Sequence, residues 1–423
     1  MSNKLKTTSV RWLLMLVLGA CYLAITALTP KLIFAQAKSP LEVSILTSGP
    51  GQQLYALFGH TALRVRDVQS GTDHVYNFGT FDEETDGFYL KFLAGTLNYQ
   101  ITRTTYQQYM AEYIADNRWV FEQQVLADEA ALQLMADSLG KLLLPENRNY
   151  LYGFFTNNCS TRVFDLVLFY AQNQVPADTL LKPVGQTYRK ALRPYIAGYE
   201  WLNVGINLLL GPFVDQPMSL LQSTFLPENL MYVSAGIGIA TPPQSIFDGT
   251  FTPPAPQEPD VPMILFWILL LLLIAEAFVM KPSVRRSDII DIILFAASTA
   301  LGLLLLALWL WSQHLPLHLN LNLLWANPLN VLAVWSIATR RKLLTRIWLI
   351  VYLVLLSFMI INWSRMPQVF PLELMPIVTL LTFRTVNRLF RFRQKEAAAD
   401  EEVREDTHVP GQFSGLPDRN NPG

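Results

Sequence analysis

The chain has 423 residues, 51% of them hydrophobic and only 15% charged, with a mean hydropathy of +0.26. That is too apolar for an ordinary soluble protein and calls for membrane spans. A formal net charge of −1 excludes a general nucleic-acid binder, whose affinity rests on surplus Lys and Arg.

The N-terminus reads as an export signal over residues 1–37. Lys4, Lys6 and Arg11 precede an apolar run from Trp12 to Leu28, and Phe34-Ala35-Gln36-Ala37 supplies a small-x-small cleavage site after Ala37. Leu18-Gly19-Ala20-Cys21 also resembles a lipoprotein box, so lipidation at Cys21 and an uncleaved anchor are competing outcomes. On cleavage Cys159 loses the only other cysteine of the chain. A lone exported thiol is unusual in an oxidising space.

Residues 38–240 have mixed α/β character. Leu41–Ser48 is strand-like, and Gly59–Asp67 alternates with a period of two, as a half-buried strand does. His74–Asp82 and Leu97–Arg103 continue a meander, Tyr106–Asp116 is helical, and Arg118–Leu126 is extended. Asp128 is placed to cap a helix over Glu129–Leu144. Trp201–Gly211 and Ser219–Val233 are apolar but too short to cross a bilayer, and read either as core helices or as interfacial segments beside the site. Residues 241–262 hold seven prolines, which predicts a semi-rigid extended stem.

From Met263 the chain becomes almost continuously apolar. Met263–Val279, Ile289–Trp311, Leu323–Ala338, Ile347–Trp363 and Val369–Phe383 predict five transmembrane helices, the third and fifth being short and interrupted by Pro328, Pro371 and Pro376. Lys and Arg follow the first, third and fifth spans, while the intervening loops carry only Arg365. The positive-inside rule then puts residues 38–240 outside, the membrane domain at 263–390, and a disordered cytoplasmic tail at 391–423.

The candidate chemistry centres on Cys159. An aromatic run ends at Asn157 and Asn158, and Val163, Leu166, Val167 and Tyr170 then recur at helical spacing. The thiol therefore stands at a helix N-terminus, where unpaired N–H groups and the dipole favour a thiolate and can hold an oxyanion. A buried structural cysteine is the alternative. Of five histidines, His60 and His74 lie in the exported part. His60 opens a strand directly after Gly59 and is the candidate base, with Asn77 or His74 on the next strand to orient its ring. Asn158, Arg162 and Arg64 are candidate substrate-binding residues, since guanidinium forks suit phosphate. His314 and His318 lie four apart, but Pro316 between them and the lack of a third ligand argue against a metal site.

A strand opening with His, a second strand with a polar orienter and a later Asn-Cys helix start resemble the circularly permuted papain-like superfamily, which holds the NlpC-type peptidases and the lecithin:retinol acyltransferase-like enzymes. More closely, GHTALRV, VYNFGTFD and NNCSTR followed by a multi-span region resemble the bacterial envelope lipoprotein N-acyltransferases of the Lnb type. The resemblance implies an α+β papain-like exported domain and an all-α membrane domain, with Cys159 as nucleophile, His60 as base and Asn77 or His74 as third member. It implies acyl transfer from a phospholipid, through a Cys159 thioester, to the α-amine of a lipoprotein N-terminal cysteine, with no cofactor and no metal. The expected setting is the inner membrane, with the catalytic domain on the periplasmic side. A membrane-tethered cysteine peptidase or amidase acting on cell-wall peptides and a non-enzymatic envelope scaffold are the two alternatives.

Overall fold

The computed structural model describes residues 41–407, except 83, 172–174, 257–259 and 282 and the side chains of 395–407. The export signal, Cys21, His408 and the end of the tail lie outside the described residues.

Nine strands follow from the β-branched and aromatic runs: Leu41–Ser48 (β1), His60–Asp67 (β2), Thr72–Thr80 (β3), Asn98–Thr105 (β4), Val120–Gln124 (β5), Asn149–Leu151 (β6), Pro183–Thr187 (β7), Pro217–Ser219 (β8) and Gln244–Phe247 (β9). Seven form one antiparallel sheet in the order β6-β4-β3-β2-β1-β5-β9, and β7 pairs with β8 apart from it. The longer helices of this half are Phe88–Ala94 (α1), Tyr106–Ala115 (α2), Glu129–Leu142 (α3), Cys159–Tyr170 (α4), Tyr188–Ile196 (α5), Glu200–Leu209 (α6) and Pro227–Gly236 (α7).

Alternation along the strands divides the core. Val43, Ile45, Leu63, Val65, Tyr76, Phe78 and Ile101 pack on Leu132, Met135 and Leu139 of α3, on Val163, Phe164 and Val167 of α4 and on Leu230 of α7. Leu46, Ala62, Val75 and Val120 of the other face pack on Tyr109 and Tyr113 of α2. Asp128 caps α3, accepting the Ala131 N–H at 2.8 Å.

Residues 241–262 do not form a free stem. Thr241 N–H donates to Gln124 O, β9 pairs with β5 at the sheet edge, and Phe251 N–H donates to Asn117 O. A Cβ at Gly249 would stand 2.4 Å from the Arg118 carbonyl carbon, and one at Gly198 only 1.9 Å from Pro254 O. The prolines flank β9 and none lies within it, so its ladder to β5 keeps its donors. The segment is extended, as expected, but docked.

The membrane half comprises Val261–Val279 (α8), Val284–Trp311 (α9), Val331–Ala338 (α10), Lys342–Ile361 (α11) and Met375–Thr407 (α12). Among the described residues, four stretches are long and apolar enough to cross a membrane: α8, α9, 315–338 and α11. The third is not one helix. It starts as three 3-10 turns, Leu315–Leu317, Leu321–Leu324 and Pro328–Asn330, and only then becomes α10. Backbone of this kind survives at membrane depth only where protein pairs its polar groups. Here Ser298 Oγ and Tyr352 Oη both donate to Trp325 O, at 2.8 and 2.5 Å, and Gly302 lets α9 approach so closely that a Cβ there would lie 2.2 Å from Ala326 O.

The fifth expected span also differs. Pro371 holds the chain back, so α12 begins at Met375, and it runs unbroken to Thr407 through the segment expected to be a disordered tail from residue 391. Glu, Arg and the Ala397–Ala399 run are good helix formers. Arg384, Arg388 and Arg391 are not loop charges. Arg384 donates to Asp291 (2.7 Å) and Glu276 (3.0 Å), Arg388 to Asp291 (2.6 Å) and Asp288 (2.8 Å), and Arg391 bonds Ser287 Oγ. These pairs join α12 to α8 and α9 in a region where Asp291 is 0% and Arg384 1% exposed. An intramembrane charge is stable only when paired. Asp291→Ala removes the fully buried carboxylate that Arg384 and Arg388 share, leaving them only the carboxylates of Glu276 and Asp288 respectively, and should cost about 3–5 kcal/mol, read as a lowered thermal unfolding midpoint in detergent; an unchanged midpoint would contradict the role given to this network.

Candidate active site

Two glycines shape the end of the sheet where the candidate residues meet. Gly59 has φ +81°, and a Cβ there would lie 2.6 Å from Ser48 O, so only glycine lets the chain turn against β1 and open β2 at His60. Gly79 has φ +106° beside the irregularity between Phe78 and Thr80 of β3. A Cβ at Gly79 would be 3.7 Å from both Cys159 Cβ and His60 Cε1, so this backbone borders both side chains.

Cys159 is the first residue of α4, held there by a capping box. Asn158 Oδ1 accepts the Thr161 N–H at 2.9 Å while Thr161 Oγ1 accepts the Asn158 N–H at 2.8 Å. The Asn158 amide also donates to Phe154 O and Phe225 O at 2.7 and 2.8 Å. Its polar groups are spent on holding the helix start, and Asn158 does not have the free amide that a substrate-binding role requires.

His60 Nε2–H donates to Asn77 Oδ1 at 2.6 Å. That fixes one tautomer and leaves the other ring nitrogen to share a hydrogen bond with the Cys159 thiol. The Thr61 backbone N–H also donates to the sulfur, and Ser160 Oγ lies 3.9 Å from it. Burial by itself raises the thiol, but the charge and hydrogen bond of His60, the Thr61 N–H and Ser160 outweigh it and bring Cys159 below its ordinary value. For His60, burial lowers the imidazole, while the Cys159 thiolate, its hydrogen bond and Asn77 raise it above 6.5. Both shifts favour the charged forms, thiolate and imidazolium, and both residues are partly open to solvent.

Cys159, His60 and Asn77 are thus brought together. His74 is not, since it stands opposite Val65 and three residues from Asn77, on the other face of β3. Its Nδ1 is buried without a partner among the described residues. Arg64 is occupied elsewhere: it pairs with Asp73 at 2.6 Å and Glu122 at 3.0 Å and stacks 3.5 Å from the Tyr106 ring centroid. Two carboxylates capture it, Asp73 on the adjacent β3 and Glu122 on β5 two strands away, which single-sequence spacing does not reveal. Arg162 lies 4.5 Å from the Tyr150 ring centroid, near the thiol but stacked on an aromatic face. His314 and His318 donate to Phe92 O and Ser312 O, each at 2.8 Å.

The sequence pattern missed an aromatic wall. Tyr99, Tyr150 and Tyr152 have phenols pushed up by burial and further by the thiolate, so they stay neutral beside it. Tyr99 stacks on Tyr152 at 4.1 Å. It also missed a hydroxyl bridge: Thr61 Oγ1 and Ser160 Oγ, each 0% exposed, lie 3.1 Å apart and tie the residue after His60 to the residue after Cys159.

Residues 35–193 match the family model of the Lnb N-terminal periplasmic domain, and residues 256–396 match that of the Lnb transmembrane domain. Comparison with curated proteins and with solved structures found no match. The two matches and the four apolar stretches describe a membrane protein with a periplasmic domain.

Because the thiol is lowered, iodoacetamide should alkylate Cys159 with a pH midpoint below the free-thiol value of about 8.5. His60→Ala removes the cation and should move that midpoint upward, while Asn77→Ala should move it by less; a wild-type midpoint at or above the free-thiol value would refute the ion pair.

Proposed function

The chain belongs to the Lnb family, and on that premise we propose that it is a membrane-bound thiol acyltransferase moving an acyl chain from a phospholipid to the α-amine of a lipoprotein N-terminal cysteine. The observation that carries this reading is the Asn77–His60–Cys159 chain of hydrogen bonds at a partly open helix start. A base on a strand that precedes a nucleophile on a helix also fits the permuted papain-like arrangement. The setting favours a lipid substrate, because Phe155, Tyr188, Leu192 and Phe225 beside the α4 start pack in one cluster with Leu308 and Leu317 of the membrane half.

In the first half-reaction the thiolate attacks the ester carbonyl, and the unpaired N–H groups of the first turn of α4 hold the oxyanion. Collapse breaks the ester C–O bond, the His60 imidazolium gives its proton to the departing lysophospholipid alkoxide, and a thioester remains on Cys159. The α-amine, with an ordinary pKa near 8, then attacks as the free base. Neutral His60 takes a proton from the attacking nitrogen, the C–S bond breaks, and the amide leaves with the thiolate restored. The inner membrane, with the site on its periplasmic side, is the location this chemistry requires.

Given phospholipid alone, the purified protein should gain the mass of one acyl chain on the peptide holding Cys159, removable by hydroxylamine. A diacylated lipopeptide should discharge that adduct into an amide. His60→Ala should slow adduct formation by about 10²–10⁴-fold. A peptidase would give no acyl adduct, and lipopeptide acylation at the normal rate by Cys159→Ala would overturn the proposal.

A further inference from the structure

We infer that Leu54, Tyr55, Tyr89 and Leu90 form a rim embedded in the outer face of the lipid bilayer, along which acyl chains reach Cys159; the second clause rests on the acyltransferase reading, the first on geometry alone. These side chains are 61, 64, 76 and 62% exposed, and a contiguous exposed apolar patch marks an interaction surface. They are contiguous through rings. Tyr55 meets Phe81 at 5.7 Å, Phe81 meets Phe88 at 5.5 Å, and Phe88 meets Tyr89 at 5.3 Å.

The inner end of the rim is the site. Phe81 packs on Tyr99 at 5.1 Å, and Tyr99 is one of the three phenols that feel the thiolate. Phe81 also follows Gly79, the backbone that borders Cys159 and His60, by two residues.

The outer end is fixed to the membrane half. A helix end leaves carbonyls without intrahelical donors, and those of α1 are capped by the chain that leaves α9: His314 Nε2 donates to Phe92 O (2.8 Å), Ser312 Oγ to Leu93 O (2.6 Å) and Gln313 N to Ala94 O (2.8 Å). Immediately before these residues, Leu310 and Trp311 are 76 and 59% exposed at the end of a membrane-spanning helix. At about 1.5 Å per residue, Tyr89 and Leu90 lie within about 7 Å of the capped end of α1. The polar layer of a bilayer is about 5–8 Å thick on each side, so the rim stays inside it, where Tyr and Trp are enriched. The exposed carboxylates of Asp82, Glu84 and Asp86 and the exposed Lys91 border the rim, a mixed-charge margin that suits a zwitterionic surface.

The test uses the full chain in phosphatidylcholine nanodiscs. In a Cys21→Ser, Cys159→Ala background, a spin label on Leu90→Cys should be more accessible to oxygen than to a water-soluble nickel chelate. The same label on Leu134→Cys, an exposed position of α3, should show the reverse. Equal aqueous accessibility at both positions would overturn the inference. In the otherwise wild-type chain, Leu90→Asp should slow Cys159 acylation from bilayer phospholipid at least tenfold while leaving iodoacetamide alkylation of the thiol unchanged; acylation at the wild-type rate would overturn the route. A wild type that forms no adduct removes the acyltransferase reading, and the label depth still decides whether the rim is embedded.

Discussion

Non-helical backbone at membrane depth must find a partner for every N–H and C=O, and the architecture hangs on how residues 312–330 do so. Asparagines supply the answer. Asn330 donates to Ser298 Oγ and accepts from Trp348 Nε1, Asn322 accepts from Trp325 Nε1, and Gln368 bridges Leu321 N to Asn320. The remaining amide hydrogens of Asn320 and Asn322 reach out of the bundle to Leu208 O and Leu209 O, the C-terminal carbonyls of α6. The groups that make an irregular span tolerable are thus the same groups that cap a helix of the periplasmic half. A second tie lies beside them: Arg189 of α5 bonds both carboxylate oxygens of Asp215, and Asp215 Oδ2 also accepts the Val369 N–H from the loop before α12. Two halves joined by buried, mutually satisfied polar groups move as one body, because parting them exposes unpaired carbonyls in a low-dielectric setting.

That rigidity matters for a dyad whose members sit on different elements. His60 belongs to a sheet strand and Cys159 to a helix packed on the sheet's face, so a small slide of α4 would separate them. Three contacts prevent it. The Thr61–Ser160 hydroxyl pair joins the two elements one residue past each reactive side chain, the Thr61 N–H reaches the sulfur, and Asn158 anchors the helix start to Phe154 and Phe225. The lowered thiol is the product of this positioning: burial alone would raise it, and His60 is the largest influence that brings it down.

Local chemistry was legible in the sequence where it depends on near neighbours. The Asp128 cap, the Asn-Cys helix start and the hairpin that sets Asn77 one strand from His60 all follow from spacing within a few residues or a single turn. What depends on distant partners was not. Arg64 reads as an exposed strand arginine until Glu122 is folded beside it, 58 positions away. The proline-rich run reads as a stem because its prolines deny an interior strand, and only the open edge of β5 makes room for it. The third span is apolar enough to be a helix by composition; the asparagines that instead support turns look, in the linear chain, like ordinary loop residues. The arginines of α12 satisfy the positive-inside count equally well whether they face water or Asp291, so loop charge alone could not show that they are buried.

The capping of α1 by Ser312, Gln313 and His314 also dictates an order of assembly. Residues 41–256 precede α8–α12 in the chain, so the groups that finish the periplasmic half are synthesised after it. Until α9 has been inserted and its end emerges on the far side, α1 has open carbonyls and α6 lacks Asn320 and Asn322. The reactive thiol therefore gains its complete surroundings only once the chain is anchored, which ties maturation of the site to arrival at the bilayer.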